Sequence, residues 1–386
     1  MYDLQLLRQF FNSGITRPYE WRRQQLQKMQ QLILDNEKEI HAALYADLKK
    51  SPEEAYGSET GLVLSEIRYM LKHLARWMRP RRVRTNLVNW PSSSTIYRDP
   101  LGVVLVIAPW NYPLQLSLLP VAAALAAGNA VVLKPSELAP ATAAVLEKLL
   151  TSVYAPECVR VVQGDGGIVV PDLIRNFRFD HIFFTGSVRV GRAIYQLAAE
   201  QLIPVTLELG GKSPAVVAED ADLRTTARRI VLGKFTNAGQ TCITPDYLLV
   251  QSSIKDELLL SLRETMESFY GEKPEESYDY GKIINEKRFD TLVAHLSRAQ
   301  GEIICGGYHD RSKLFIAPTL INCTTTDQPL MKEEIFGPLL PVFAYQTMEE
   351  ALAIIRQQPD PLAFYLFTRD QRLQKSWMEA VSFGGG

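Results

Sequence analysis

The chain has 386 residues, of which 46% are hydrophobic and 22% are charged, and its formal net charge at pH 7 is -1. This near-neutral balance argues against nucleic acid or an anionic membrane as the main partner, and the length allows two or three domains with sizeable cores. The cysteines, which form no Cys-x-x-Cys or Cys/His cluster, predict neither a metal site nor a disulfide framework; they are Cys158, Cys242, Cys305 and Cys323.

The first 80 or so residues are predicted to be mostly helical, because residues 19–49 and 59–78 carry apolar side chains at helical spacing. Prolines and serines at 80–94 then break this pattern. The basic run RWMRPRRVR at 76–84 is compatible with a phosphate patch or with a solvated helix end that leads into a linker. The absence of a leader pattern and of any run of about 18 apolar residues predicts a cytoplasmic protein.

From residue 101 onward, short β-rich runs alternate with segments of helical or loop character, which predicts a parallel α/β sheet. In such a sheet, ligands bind beyond the carboxyl ends of the strands. The predicted strands are VVLVIA (103–108), AVVL (130–133), VRVVQ (159–163), HIFF (181–184) and PVTLEL (204–209). A second α/β half follows, with its clearest strands at PAVVA (214–218), YLLVQ (247–251), LLPVF (339–343) and AFYLF (363–367).

Polar motifs follow several of these predicted strands. In APWNYP, Asn111 could donate a hydrogen bond to a developing oxyanion, and a turn asparagine is the alternative. In LKPSE, Lys134 and Glu137 could bind ribose hydroxyls or remain solvated charges. In FFTGS, Gly186 and Ser187 open a helix whose first N–H groups could bind a phosphate, although Ser187 could equally be a plain helix cap.

Two further motifs carry a carboxylate and a thiol. Glu208 lies inside the apolar run of LELGGKSP, where burial would raise its pKa and suit a general base; paired structural glutamates are the alternative. Cys242 stands in FTNAGQTCITPDY among small and polar residues, which suits a reactive thiol better than a packed one. The run GDGGIVV at 164–170 matches two glycines of GxGxxG, and a strand-to-helix turn explains it as well.

Six motifs in order resemble those of the aldehyde dehydrogenase superfamily: APWNYP, LKPSE, FTGS, LELGGKSP, GQTC and EEIFGP. Glu208 and Cys242 are 34 positions apart, which resembles the family's spacing of general base and nucleophile. The segments TRPYEWRRQQL, IRYMLKHLARWM and TCITPDYLLV resemble the class 3 branch. Members of that branch oxidise aromatic and medium-chain or fatty aldehydes with NAD or NADP.

The resemblance implies an α/β fold with a Rossmann-type cofactor domain, an α/β catalytic domain and a β oligomerisation arm. It places the N-terminal helices and the NAD(P)-binding domain in residues 1–209, with an arm strand at about 92–99, and the catalytic domain in residues 210–386. Because the family continues for several dozen residues beyond this point, the resemblance also implies an incomplete arm and catalytic domain. It leaves a C-terminal membrane anchor open.

The resemblance also implies roles for individual residues. Cys242 is the implied nucleophile, Asn111 with the Cys242 backbone N–H the oxyanion hole, and Glu208 the base that activates the hydrolytic water. The implied cofactor contacts are Trp110, Lys134, Ser136, Glu137, Gly186, Ser187, Leu209, Gly210, Glu334 and Phe336. A glutamate at 208 favours release of the acid over transfer to coenzyme A, and Glu137 favours NAD over NADP, although class 3 enzymes use both.

The implied partners are a small-molecule aldehyde and a second copy of the chain in a homodimer, without nucleic acid or metal. Two other functions stay open. The same thiol and oxyanion donor could make a cofactor-independent thiol esterase, which ester turnover without nicotinamide would support. The chain could also be an inactive, truncated relative, which cofactor binding without turnover would support.

Overall fold

The computed structural model describes residues 3–386, which fold into two units. The first unit comprises the chain up to Asp47 together with Pro52–Glu208, and the second comprises Leu48–Ser51 and Leu209–Gly386. Within residues 3–386, none of the helices combines the length and the apolar character that a bilayer crossing requires.

The N-terminal part is helical, which confirms the prediction for the first 80 residues. Its helices are α1 (Gln5–Asn12), α2 (Tyr19–Asp35), α3 (Glu37–Leu48), α4 (Pro52–Ala55) and α5 (Gly61–Met78). A π-helical turn, Tyr56–Thr60, joins α4 to α5. The buried faces of α2 and α5 pack with the sheet of the first unit into one apolar core.

A short antiparallel ribbon follows these helices. It consists of β1 (Arg81–Val83) and β2 (Ser94–Ile96), with Arg81 opposite Ile96. The turn that connects them carries apolar side chains that are open to solvent: Leu87 is 91% exposed and Trp90 is 75% exposed.

The first unit contains a five-stranded sheet in the order β5-β4-β3-β6-β7. Its strands are β3 (Val103–Ile107), β4 (Ala130–Lys134), β5 (Val159–Val161), β6 (His181–Gly186) and β7 (Val205–Leu209). The helices between them are α6 (Gln115–Ala126), α7 (Pro140–Val153), α8 (Gly166–Asn176) and α9 (Val188–Ala199). β3 pairs in parallel with both β4 and β6, which confirms the predicted parallel sheet. The strand order is that of a Rossmann sheet, which the family resemblance implies.

The second unit contains a six-stranded sheet in the order β10-β13-β14-β9-β8-β15. The strands of this unit are β8 (Pro214–Val217), β9 (Tyr247–Gln251), β10 (Gly301–Cys305), β11 (His309–Asp310), β12 (Phe315–Ile316), β13 (Thr319–Cys323), β14 (Leu339–Tyr345) and β15 (Tyr365–Phe367). Its helices are α10 (Leu223–Phe235), α11 (Lys255–Tyr270), α12 (Glu286–Ser297), α13 (Met348–Ile355) and α14 (Gln371–Ala380). β10 runs antiparallel to β13, whereas β13, β14, β9, β8 and β15 are parallel.

Candidate active site

The strand order of the first unit reverses at β3, whose neighbours β4 and β6 lie on its two sides. In sheets of this order, the loops that leave two such strands run in opposite directions, and ligands bind between them at the carboxyl edge. Asn111 follows β3 and is buried, with 3% of its surface exposed, while Trp110 beside it is half-buried. Ser187 follows β6. Two of the predicted site motifs thus flank the switch point of the sheet.

Lys134 ends β4 with its side chain buried and forms an ion pair with Glu137. Glu137 also accepts a hydrogen bond from the Gly166 N–H at 3.1 Å. Burial by itself raises the pKa of Glu137, but the bonds from Lys134 and Gly166 outweigh it, so that the pKa lies below its usual value. The two charged groups are therefore held in place before any ligand binds. Ser136, which lies between them in the sequence, is also buried.

Two helix N-termini lie beyond the strands of this sheet. At α8, Asp165 accepts from the Gly167 N–H at 2.7 Å, so GDGGIVV forms the strand-to-helix turn that was the alternative to a phosphate loop. At α9, the Ser187 hydroxyl accepts from the Val190 N–H at 3.4 Å and is itself exposed. Ser187 is thus the helix cap, and the exposed first turn of α9 can still receive an anion.

The expectation that Glu208 is desolvated is wrong for this structure. The Glu208 side chain is exposed, although the flanking Leu207 and Leu209 are half-buried. Its strand, β7, lies at the edge of the five-stranded sheet, next to β6. An edge position leaves one side of a strand open, so an apolar run there does not imply burial.

The loop before Cys242 has an unusual backbone in the second unit. Asn237, Ala238 and Gly239 have φ values of 53°, 51° and 72°, so three consecutive residues lie in the left-handed region. Non-glycine residues pay a conformational cost there, and such strain concentrates at functional sites. A Cβ on Gly239 would lie 2.4 Å from the Gly337 carbonyl oxygen, which leaves glycine as the residue that fits.

Gln240 fastens this loop to the segment before α12. Its side-chain oxygen accepts from the Ile284 N–H at 3.0 Å, and its amide donates to the Lys282 and Asn237 carbonyls, each at 3.0 Å. Gln240 is completely buried, whereas Cys242 two residues later is only half-buried. The loop therefore combines a rigid anchor with a cysteine that is only partly buried.

A buried ion pair, which the sequence did not predict, joins three of the motif loops of this unit. The Lys212 ammonium contacts the Asp246 carboxylate, and both side chains are at least 95% buried. Lys212 also donates to the carbonyls of Leu330 and Glu333 at 2.5 and 3.1 Å, and Asp246 accepts from the Ile335 N–H at 2.9 Å. The sequence signal that could have indicated a buried Asp246 is its position directly before the apolar run YLLV.

Glu334 lies against the glycines of LELGGKSP. Its carboxylate accepts a hydrogen bond from the Gly211 N–H, and a Cβ on Gly210 would lie 2.1 Å from one of its oxygens. Burial and the nearby Asp246 raise the pKa of Glu334 to about 8. The structure therefore brings Gly210 and Glu334 together within one unit.

Phe336 is held in a left-handed conformation, with φ of 47°. The Arg288 guanidinium donates to the carbonyls of Ile335 and Phe336 and lies 6.0 Å from the centre of the Phe336 ring. These contacts fix the backbone that carries Glu334 and Phe336.

Lys234 is a buried cation at the end of α10. Its side chain is completely buried, and its ammonium has no hydrogen-bond partner among residues 3–386. Desolvation lowers the pKa of Lys234 to about 8, although Asp246 opposes this shift. Such a group destabilises the folded state whenever it must carry its proton.

We expect Lys234→Met to raise the free energy of unfolding at pH 7 by about 1–3 kcal/mol. Between pH 8 and 10.5, unfolded Lys234 retains a proton that the folded chain has released, so the free energy of unfolding of the parent chain rises with pH across this window. Urea unfolding at several pH values would show a smaller rise in Lys234→Met. The exposed Lys287→Met is the control, and a variant less stable than the parent at pH 7 would contradict this account.

The sequences of known proteins point to the same family as the six motifs do. Residues 11–385 match the sequence profile described as the aldehyde dehydrogenase family. The chain is 46% identical over 382 residues to "Aldehyde dehydrogenase family 3 member H1" of Arabidopsis thaliana, which covers 98% of this chain and 78% of the relative.

Solved structures agree as well. The substrate-bound AldH of Staphylococcus aureus matches with a TM-score of 0.96 and 43% identity, over 99% of this chain and 83% of that one. A mutant of aldehyde dehydrogenase C from Pseudomonas syringae, complexed with NAD+ and octanal, matches with a TM-score of 0.88 and 28% identity, over 99% of this chain and 79% of that one.

Proposed function

This chain belongs to the aldehyde dehydrogenase family, and we propose that it oxidises an aromatic or medium-chain aliphatic aldehyde to the carboxylic acid with Cys242 as the nucleophile. The observation that carries this assignment is the presentation of Cys242. A strained left-handed turn, fastened by the buried Gln240, is followed closely by the half-buried Cys242. The two buried cysteines of the chain, Cys158 and Cys323, have no such setting.

The first chemical step is attack of the Cys242 thiolate on the aldehyde carbonyl carbon. This step forms a carbon–sulfur bond and leaves a negative charge on the carbonyl oxygen. We propose that the Asn111 amide and the Cys242 backbone N–H donate hydrogen bonds to that oxygen. One such donor contributes about 3–4 kcal/mol to stabilising the transition state in enzymes of this general type.

The thiohemiacetal then loses a hydride and becomes a thioester on Cys242. The nicotinamide ring of NAD(P), when bound, supplies the acceptor for this hydride. Water next attacks the thioester carbonyl, the carbon–sulfur bond breaks, and the acid leaves with the thiol restored. We propose that Glu208 takes the proton from that water. Because Glu208 is exposed, water has access to its side chain.

A variant at Glu208 separates the two half-reactions. In Glu208→Gln we expect the first turnover to be retained and steady-state kcat to fall by about 100-fold, because thioester formation precedes the step that needs the base. Stopped-flow absorbance of reduced nicotinamide would show a burst of one equivalent followed by slow turnover. Glu200→Gln, at an exposed glutamate of the same unit, is the control. A variant that kept its steady-state rate, or lost the burst, would contradict this role.

The residues present suit a dinucleotide. We propose that Lys134, Ser136 and Glu137 bind the adenosine ribose, that Gly186 and Ser187 receive the pyrophosphate at the N-terminus of α9, and that Trp110 adds an apolar wall. In the second unit, Leu209, Gly210, Glu334 and Phe336 would hold the nicotinamide ribose. The donor set supports this: a paired ammonium and carboxylate follow β4, and an exposed helix N-terminus follows β6.

Glu137 bears on the choice between the two dinucleotides. Its carboxylate can accept from a ribose 2′-hydroxyl but repels a 2′-phosphate, so we propose that NAD is the better cofactor and NADP the poorer one. The hydrogen bonds from Lys134 and Gly166, which lower the pKa of Glu137, also hold its carboxylate in place for that contact. The ratio of kcat/KM for the two cofactors measures the preference.

For the assembly we propose a homodimer that uses the β1–β2 ribbon. The turn of this ribbon exposes Leu87, Val88 and Trp90, which is unusual for large apolar side chains. Sedimentation equilibrium would give the mass of the assembly.

We further propose a cytoplasmic location, because all the cysteines are free thiols, and cell fractionation would test it.

A further inference from the structure

Glu59 is a buried carboxylate outside every motif discussed above. Its side chain is completely buried. It lies on the π-helical turn Tyr56–Thr60, in which the Gly61 N–H donates to the Tyr56 carbonyl five residues earlier. A π-helical turn widens a helix by one residue, and such turns occur often near functional sites. The widened turn thus carries a charge that needs a strong partner inside the protein.

The partner of Glu59 is the N-terminus of α6. One carboxylate oxygen accepts from the Leu114 N–H at 2.9 Å and from the Gln115 N–H at 3.0 Å. Leu114, in the N-cap position of α6, provides no side-chain cap of its own. A negative charge at this end of a helix is stabilised both by the hydrogen bonds and by the helix dipole. Glu59 is therefore the cap of α6, supplied from another helix.

Asn111 lies three residues before Leu114, the N-cap position of α6. The chain is fixed on one side of it, where the Ala108 N–H donates to the Lys134 carbonyl at 3.1 Å as β3 ends. It is fixed on the other side by Glu59. Between these points, the Tyr112 carbonyl accepts from the Leu116 N–H at 2.9 Å. Asn111 therefore lies in a short backbone segment that is held at both ends.

We propose that Glu59 is a positioning residue that aims the Asn111 amide at the oxyanion. This proposal rests on the proposed function, in which Asn111 is an oxyanion donor. A charged acceptor bonded to two N–H groups holds α6 more tightly than a neutral one. Loss of the charge lets the start of α6 and the preceding segment shift, and donors to an oxyanion lose much of their effect when misplaced by about 1 Å.

The test is a double-mutant cycle between Glu59→Gln and Asn111→Ala. We expect Asn111→Ala to lower kcat by about 100- to 1,000-fold and Glu59→Gln to lower it by about tenfold, with KM for the cofactor nearly unchanged. If Glu59 acts through Asn111, Glu59→Gln should lower kcat less than about twofold when Asn111 is already alanine. A purely structural cap would lower kcat equally in both backgrounds.

Asp47 offers a matched control. It is another buried carboxylate of the first unit, and it accepts from the Thr142 N–H at 2.8 Å near the N-terminus of α7. Asp47→Asn should cost similar stability and leave kcat within about twofold of the parent. If Glu59→Gln does not fold, as judged by circular dichroism, Glu59→Asp serves in the same cycle, because it shortens the reach of the carboxylate.

Two results would overturn the proposal in different ways. If Asn111→Ala lowers kcat but Glu59→Gln leaves kcat unchanged, or lowers it by the same factor in both backgrounds, Glu59 does not position Asn111. If Asn111→Ala has the kcat of the parent, the oxyanion role fails, and both the proposed function of Asn111 and the positioning role of Glu59 are wrong.

Discussion

Replacing Asp246 by asparagine is expected to lower the free energy of unfolding by about 3–5 kcal/mol, because it leaves a buried cation without its counter-charge. Lys212 contacts the Asp246 carboxylate. The negative charge of Asp246 also stabilises the protonated form of the buried Lys234. The same carboxylate accepts the Ile335 N–H, and a neutral amide oxygen is a weaker acceptor, so the variant also weakens the hydrogen bond to the backbone next to Glu334. Urea unfolding at pH 7 measures the loss.

Two companion variants make this result specific. Asp222→Asn removes an exposed carboxylate that caps α10 and pairs with Arg369, and it should lower the free energy of unfolding much less than Asp246→Asn does. The double variant Lys212→Met/Asp246→Leu removes both charges, and it should recover part of the loss because a buried pair is often replaceable by apolar side chains. An Asp246→Asn variant within about 1 kcal/mol of the parent would show that the pair does not hold these loops.

Replacing Cys242 by alanine is expected to lower kcat by at least about 1,000-fold while the chain stays folded, because no other group takes over a covalent nucleophile. The initial rate of nicotinamide reduction with benzaldehyde or hexanal measures the effect. Binding of NAD should persist, since the proposed dinucleotide contacts lie on other residues.

Cys305→Ala is the matched control for this variant. Cys305 is also half-buried and lies in the same unit, but its sulfur packs 3.7 Å from the sulfur of Met266. Burial raises the pKa of the Cys305 thiol, which makes it a poor nucleophile. We expect Cys305→Ala to retain kcat within about twofold. Equal losses in both variants would contradict the assignment of Cys242.

The parallel strands were predictable because their residues are buried on both faces. β3 and β4 are each five buried residues long, so they appear in the sequence as continuous apolar runs. β10 and β13 were not predicted. β10 is an antiparallel edge strand whose first three residues are exposed, and its run GEIIC shows no clear alternation.

Some features of the site could likewise be predicted from the sequence, and others could not. Asn111 and Cys242 stand in short motifs whose neighbours mark them, so the sequence alone could nominate them. The exposure of Glu208 could not be predicted, because it depends on which strand lies at the edge of the sheet. The partners Glu59 with Leu114, and Lys212 with Asp246, are separated by tens of residues, so only the fold brings them together.

We propose that the chain oxidises aldehydes through a thioester on Cys242. Rapid acid quench during turnover with hexanal and NAD, followed by peptide mass spectrometry, tests it most directly. We expect an acyl group on the peptide that carries Cys242. It should be present only when aldehyde and cofactor are both supplied, and it should be more abundant in Glu208→Gln. Reduction of NAD with no acyl group on Cys242, or with the group on Cys305, would contradict it.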